Sequence, residues 1–175
     1  TSSAASDVYK RQGYNYIQGR WADVANSLIS HYSLKAGDKI LDVGCGKGFL
    51  LYEMLLIEPG LQINGLDISE YAIKNCKPEI SDFLIQGNAN NLPYEDNYFD
   101  LVISLNTIHN LYTYDLEKAL KEIQRVSKDK KYLCVESYRN EKEKANLLYW
   151  QVTCESFYTP EAVSYTHLRA HETEL

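Results

Sequence analysis

The run from Ile40 to Leu50, ILDVGCGKGFL, limits what this chain can fold into more than any other stretch. A short apolar segment carries the acid Asp42, glycine then occupies every second position (Gly44, Gly46, Gly48), and an apolar segment with helical spacing follows. The pattern suits a buried strand that turns tightly into a helix and leaves its backbone bare. Glycine is needed where φ is positive or where a ligand must reach the main chain. The first turn of the next helix presents unpaired N–H groups and the positive end of its dipole to a negatively charged group.

Around this turn the chain alternates between strand and helix patterns. Trp21, Val24, Ala25, Leu28 and Ile29 recur at helical spacing and predict a helix over 20–32. Lys39–Val43 reads as the first strand, and 48–57 as a helix stopped by Pro59-Gly60. Gln62 to Leu66 is a second strand ending at Asp67, and Ser69 caps a short helix over 70–76. A third strand is expected over 83–86, then a polar loop over 88–97 that contains Pro93. FDLVIS, 99–104, is apolar at nearly every position and so buried on both faces. A helix over 115–126, a fifth strand over 132–136 and an amphipathic helix over 141–150 complete the series. Strands separated by helices imply an α/β domain with a parallel sheet and right-handed crossovers.

The chain has 175 residues, enough for one domain, and a net charge of -6. That charge argues against a general nucleic-acid binder, which carries a basic face. No apolar stretch approaches the ~20 residues that span a membrane, and no leader pattern opens the chain. Cys45, Cys76, Cys134 and Cys154 show no metal-ligand spacing. A cytoplasmic chain with reduced thiols is the expectation. Residues 1–12, TSSAASDVYKRQ, and 164–175, SYTHLRAHETEL, lack core patterning and resemble adapter read-through at the ends of metagenomic gene fragments. We read both as non-native and 13–163 as the domain, whose charge is unchanged by the trimming. His167 and His171 share a helical spacing, but the glutamate of an HExxH pair is absent, so no metal site is expected.

Three readings compete for the glycine turn. A phosphate loop needs GxxxxGK[ST], and here Gly48 follows Lys47. A nicotinamide fingerprint needs GxGxxG, and Phe49 holds the third position, where a small residue lets helix and strand pack closely. GxGxG preceded by an acid fits at every position. On this motif, DVGCGKG, together with GLDIS (65–69), QGNANNLPYEDNYFDLVIS (86–104) and ALKEIQRVSK (119–128), the chain resembles the class I S-adenosylmethionine-dependent methyltransferases. Four matches in the right order and spacing make the likeness specific.

The resemblance implies a three-layer Rossmann-like fold with a mainly parallel sheet, and S-adenosylmethionine as cofactor. It places Asp42, Gly44, Cys45, Gly46 and Gly48 around the methionyl end of the cofactor, with Asp42 beside the ammonium. Asp67 would take the ribose hydroxyls, Ile68 would cover an adenine face, and Asn88 and Ala89 would meet the adenine edge. Asn88 stands where the family often has Asp, and its amide can still accept from an amine. Asn106 would lie near the sulfonium, and Arg20 could pair with the cofactor carboxylate. His109 is the candidate base wherever the acceptor must lose a proton, with Glu136 and Tyr138 as further candidates. Plain structural readings stay open at each position: a tight turn for the glycines, a capped helix start for Asp67, ordinary loop for Asn88, Ala89 and Asn106, and a packed loop residue for His109.

The acceptor is not legible. The Pro-Pro motif of base-amino methylases is replaced by Ser104-Leu105-Asn106-Thr107, and with the acidic charge this makes a small molecule the expectation. The family's sheet has seven strands, and the final hairpin is missing here, so the fold is expected to be truncated after the fifth strand. A cofactor-binding domain without turnover is therefore one alternative, and a nicotinamide-dependent oxidoreductase another.

Overall fold

The computed structural model describes residues 15–150 together with 155, 156 and 159. Both end segments, the His167–His171 pair and Cys154 lie outside the described residues. Five strands form one sheet: β1 (Lys39–Val43), β2 (Gln62–Asp67), β3 (Leu84–Gln86), β4 (Phe99–Leu105) and β5 (Ser127–Cys134). Their order is β3-β2-β1-β4-β5, and every pairing is parallel. The helices are α1 (Ala22–Tyr32), α2 (Phe49–Ile57), α3 (Glu70–Lys74), α4 (Thr113–Val126) and α5 (Glu141–Trp150). Short 3-10 helices, Pro78–Phe83 and Ile108–Asn110, precede β3 and follow β4.

The alternation of side chains across the pleat divides the core into two layers. Ile40, Ile63, Leu101 and Ile103 pack with Ala25 and Leu28 of α1 and with Leu51 and Met54 of α2. Leu41, Val43, Leu66 and Val102 face the other way, onto Leu116, Ala119, Leu120 and Ile123 of α4. The expected three-layer architecture follows, with β1 and β4 buried on both faces. Strand order reverses between β1 and β4, because the chain first winds outward to β2 and β3 and then returns. In sheets of this kind ligands bind outside the carboxyl ends of the strands at that reversal.

Most elements fall within two residues of expectation, and the fifth strand is the exception. The sequence predicts it over 132–136, after the charged run Lys128-Asp129-Lys130-Lys131. In the structure β5 begins at Ser127, directly after α4, and pairs with β4 from Phe99↔Ser127 to Leu105↔Cys134, with a register shift between Phe99 and Leu101. It is an edge strand among the described residues, and charged side chains suit an edge, where they discourage pairing with another chain. Of residues 138–163, where the family's final hairpin is expected to be missing, 141–150 form α5 and most of the rest lie outside the described residues.

The polar loop after β3 is held to α4 by one arginine. Arg125 donates Nε and Nη2 to the two carboxylate oxygens of Glu122, both at 2.7 Å. It also donates to the carbonyls of Tyr94 (2.8 Å) and Leu92 (3.0 Å) and to Asp96 (2.8 Å). Glu122 in turn accepts the Leu92 N–H at 2.7 Å. Lysine cannot reproduce this fork of donors. Arg125→Lys is expected to lower stability by about 1–3 kcal/mol through carbonyls left unpaired, measured as a shift of the urea midpoint at constant slope.

Candidate functional site

The glycine turn lies where the strand order reverses, and its geometry explains each glycine differently. Gly44, Gly46 and Gly48 all have positive φ, at 82°, 55° and 69°. A Cβ on Gly44 would collide with the Thr107 side chain, whose Oγ1 donates to the Gly44 carbonyl at 3.2 Å. Gly44 is therefore required by the β4 loop packed upon it, and not only by an incoming ligand. A Cβ on Gly48 would meet Ile80 Cδ1 at 2.7 Å and Leu84 Cδ1 at 2.8 Å. Gly48 is thus the close-packing glycine, one position earlier than in the nicotinamide pattern, and Phe49 is free to enter the core at the start of α2. Only Gly46 faces open space on its Cβ side.

Asp67 ties this turn to the end of β2. Its Oδ2 accepts the Gly46 N–H at 2.7 Å, and its Oδ1 accepts the Ser69 N–H at 2.8 Å. The Gly44 and Cys45 N–H groups both donate to the Leu66 carbonyl, at 2.7 and 3.1 Å. Each carboxylate oxygen keeps a further lone pair for a ligand donor. Ile68 follows with 68% of its surface exposed, unusual for an isoleucine at a strand end. Asn88 is exposed and its Oδ1 accepts the Asn90 N–H at 3.1 Å, a local turn that fixes its amide, while Ala89 is buried. Cys45 is partly buried, and burial above all, with Asp42 and Asp67 nearby, holds its thiol well above the usual range.

Asp42 is the most costly residue in the site. It is 4% exposed, and its Oδ1 has no hydrogen-bond partner. Burial first, and the Asp67 charge second, push its carboxyl up to about 7. An isolated buried carboxylate is tolerated only when something repays its desolvation.

On the other side of β1, Asn106 closes β4 in the left-handed conformation, with φ of 52°. Its N–H donates to the Cys134 carbonyl at 2.8 Å, which ties the ends of β4 and β5 together. His109, in the following turn, is buried and accepts the Glu136 N–H on Nδ1 at 3.3 Å. Burial lowers its pKa against an opposing pull from Glu136. The structure thus gathers Asn106, His109 and Glu136 at the carboxyl ends of β4 and β5.

Two features escaped the sequence reading. One is Thr107, whose role depends on a contact across 63 residues. The other is Glu53, a lone charge in the apolar run FLLYEMLLI, which was the available signal. Glu53 is buried and accepts from Tyr16 Oη and from the Gly19 N–H, both at 2.9 Å. Lys77 Nζ lies 4.3 Å from the Tyr16 ring centroid and 4.2 Å from that of Tyr52. The segment carrying Arg20 is thereby anchored on α2.

A family model described as a methyltransferase domain matches residues 34–171. The chain belongs to the class I S-adenosylmethionine-dependent methyltransferases. It is 35% identical over 130 residues to a tRNA (carboxymethyluridine(34)-5-O)-methyltransferase of Arabidopsis thaliana, covering 74% of this chain and 30% of that protein. It is 33% identical over 143 residues to a demethylmenaquinone methyltransferase of Desulfitobacterium hafniense, covering 69% and 55%. A putative methyltransferase structure from Bacillus halodurans shares the fold with a TM-score of 0.64 at 19% identity, covering 78% of this chain and 63% of that one. The chain spans from under a third to just over half of the curated relatives it matches. The family implies S-adenosylmethionine as cofactor, and this methyltransferase domain fits it on two counts. An unpartnered buried carboxylate oxygen suits an ammonium, and the open Gly46 backbone suits close approach.

The raised Asp42 pKa has a definite sign in stability. An unfolded aspartate ionises near 4, whereas the folded one holds its proton up to about 7. Native stability is therefore lost as pH climbs through that window. Asp42→Asn is expected to match the parent near pH 4 and to exceed it at pH 8 by up to about 4 kcal/mol. Urea unfolding of the ligand-free proteins at both pH values measures it.

Proposed function

We propose that this methyltransferase domain binds S-adenosylmethionine across the carboxyl ends of β1, β2 and β4 and passes its methyl group to a small-molecule acceptor. The observation that carries the proposal is the buried Asp42, whose Oδ1 has no partner among the described residues, beside the open Gly46 turn. When bound, the cofactor supplies a methyl carbon activated by a sulfonium. Asp42 would neutralise its ammonium, and the turn built by Gly44, Cys45, Gly46 and Gly48 would admit its methionyl end. Asp67 would offer its remaining lone pairs to the ribose hydroxyls. Ile68 would lie against adenine, with Asn88 and Ala89 at the adenine edge and Asn106 on the sulfonium side. Holding donor and acceptor in line is worth roughly 7–11 kcal/mol in favourable cases, so orientation carries most of the catalysis.

His109 is the group for an acceptor that must shed a proton. Burial lowers its pKa and so favours the neutral ring, and among the described residues its Nδ1 meets the Glu136 N–H at a long 3.3 Å. Bonds to catalytic groups are often long before substrate arrives. The Arabidopsis relative's tRNA acceptor is the competing reading, against which stands the net charge of -6.

Calorimetry with S-adenosylhomocysteine and NADH, then labelled methyl transfer into small-metabolite and tRNA pools, tests the whole reading. Binding of the first ligand alone, with label in metabolites, supports it. Label confined to tRNA rejects the small-molecule acceptor. Ile68→Ala isolates the adenine contact, since an exposed side chain contributes little to the ligand-free fold. It is expected to weaken S-adenosylhomocysteine binding by about 1–2 kcal/mol from lost apolar burial, with the melting temperature unchanged.

A further inference from the structure

Two side-chain oxygens among the described residues are buried without a hydrogen-bond partner, Asp42 Oδ1 and Glu136 Oε2. Under the proposed function the first is answered by the cofactor's ammonium. The second is not, because Glu136 stands two residues beyond β5, while the cofactor strands β1 and β2 lie on the other side of β4. Buried polar atoms are almost always paired, and an orphan calls for an explanation.

The surroundings of Glu136 belong to the acceptor half of the site. Its own N–H meets His109 Nδ1 at 3.3 Å. The strand it continues is tied to Asn106 through the Cys134 carbonyl at 2.8 Å. Its charge reaches both neighbours: it opposes the burial that lowers the His109 pKa, and it adds to the burial that pushes the Cys134 thiol up. Glu136 therefore lies beside His109, which the proposed function turns to the acceptor, and on the strand end tied to Asn106.

We infer that Glu136 is the anchor for an amine on the methyl acceptor, which makes the acceptor a small amine and not an acid, a phosphate or a nucleic acid. The inference rests on the proposed function and adds a binding contact without a new chemical step. An amine brings N–H donors and, when protonated, a compensating charge. Glu136 as a whole is half-buried and only its Oε2 is closed off without a donor; an amine supplies both that donor and an opposite charge, a neutral hydroxyl supplies the donor alone, and an anionic acceptor is repelled.

The test uses the chain with labelled S-adenosylmethionine and a small-metabolite extract split by ion exchange into cationic, neutral and anionic fractions. Label is expected in the cationic fraction. Glu136→Gln is expected to reduce it at least tenfold while S-adenosylhomocysteine affinity, read by calorimetry, stays within twofold of the parent. Glu136→Asp is expected to restore part of the loss, which a purely structural role would not produce. Label only in the neutral or anionic fraction, a Gln variant as active as the parent, or no label in any fraction while S-adenosylhomocysteine binds, each overturns the amine assignment alone. Failure of the parent to bind S-adenosylhomocysteine overturns the cofactor reading and the inference with it.

Discussion

The Asp67 carboxylate, bonded at once to Gly46 N–H and Ser69 N–H, is the contact on which the site's shape depends. One oxygen fixes the turn after β1 and the other fixes the start of α3, so two neighbouring strand ends are held at one spacing. The glycine turn alone could not do this. Three residues with positive φ have wide conformational freedom in the unfolded chain, and they need an external tether to present one face. The same carboxylate is the one the family resemblance directs at the ribose. A single side chain can shape the cradle and also read the sugar, because each oxygen has capacity beyond the backbone bond it already accepts.

Asp42 represents the opposite economy. It is 4% exposed in the central strand β1, on the face it shares with Ile40, and pairs with Gly65 of β2 and Ile103 of β4. Among the described residues nothing bonds to its Oδ1, and its raised pKa marks a net cost to the native state. Residues that work against folding while sitting in a cleft are candidates for function on physical grounds. Glu53 shows the contrast: it is equally buried, but with partners from Tyr16 and Gly19, and so reads as structure.

What was legible in the sequence was local or periodic. The apolar run of Ile40, Leu41 and Val43, the helical spacing of Leu116, Ala119, Leu120 and Ile123, and the glycine spacing each declare an element without reference to the rest of the chain. Ser69 was legible as a cap because its side chain acts only three residues away, accepting the Ala72 N–H at 3.2 Å. What escaped depended on distant partners. The clash that forbids a side chain at Gly44 involves Thr107, and the need for Gly48 arises from Ile80 and Leu84. The first part of β5 was hidden for a different reason. A strand at a sheet edge makes its backbone bonds on one side only, so its side chains need not be apolar, and Lys128, Asp129 and Lys130 disguise it. His109 was visible as a residue type, but its burial and the direction of its lone pair depend on where the chain places Glu136.

The arrangement of charge along the carboxyl ends of the strands favours one class of chemistry. Asp67 sits at the end of β2, Asp42 within β1 and Glu136 just past β5, so carboxylates flank the reversal point on both sides. A sulfonium cofactor carries positive charge that leaves the reacting centre as the methyl group moves, and a field of this sign holds the charged form in place before transfer. That field falls off slowly where burial keeps water out. It attracts an amine and repels a phosphate by the same mechanism, so one set of acidic side chains can serve both to retain the cofactor and to sort its partners. Asp42 Oδ1 and Glu136 Oε2 are the two buried side-chain oxygens left unpartnered among the described residues, and under the proposed function each would meet a positively charged group of a reacting molecule.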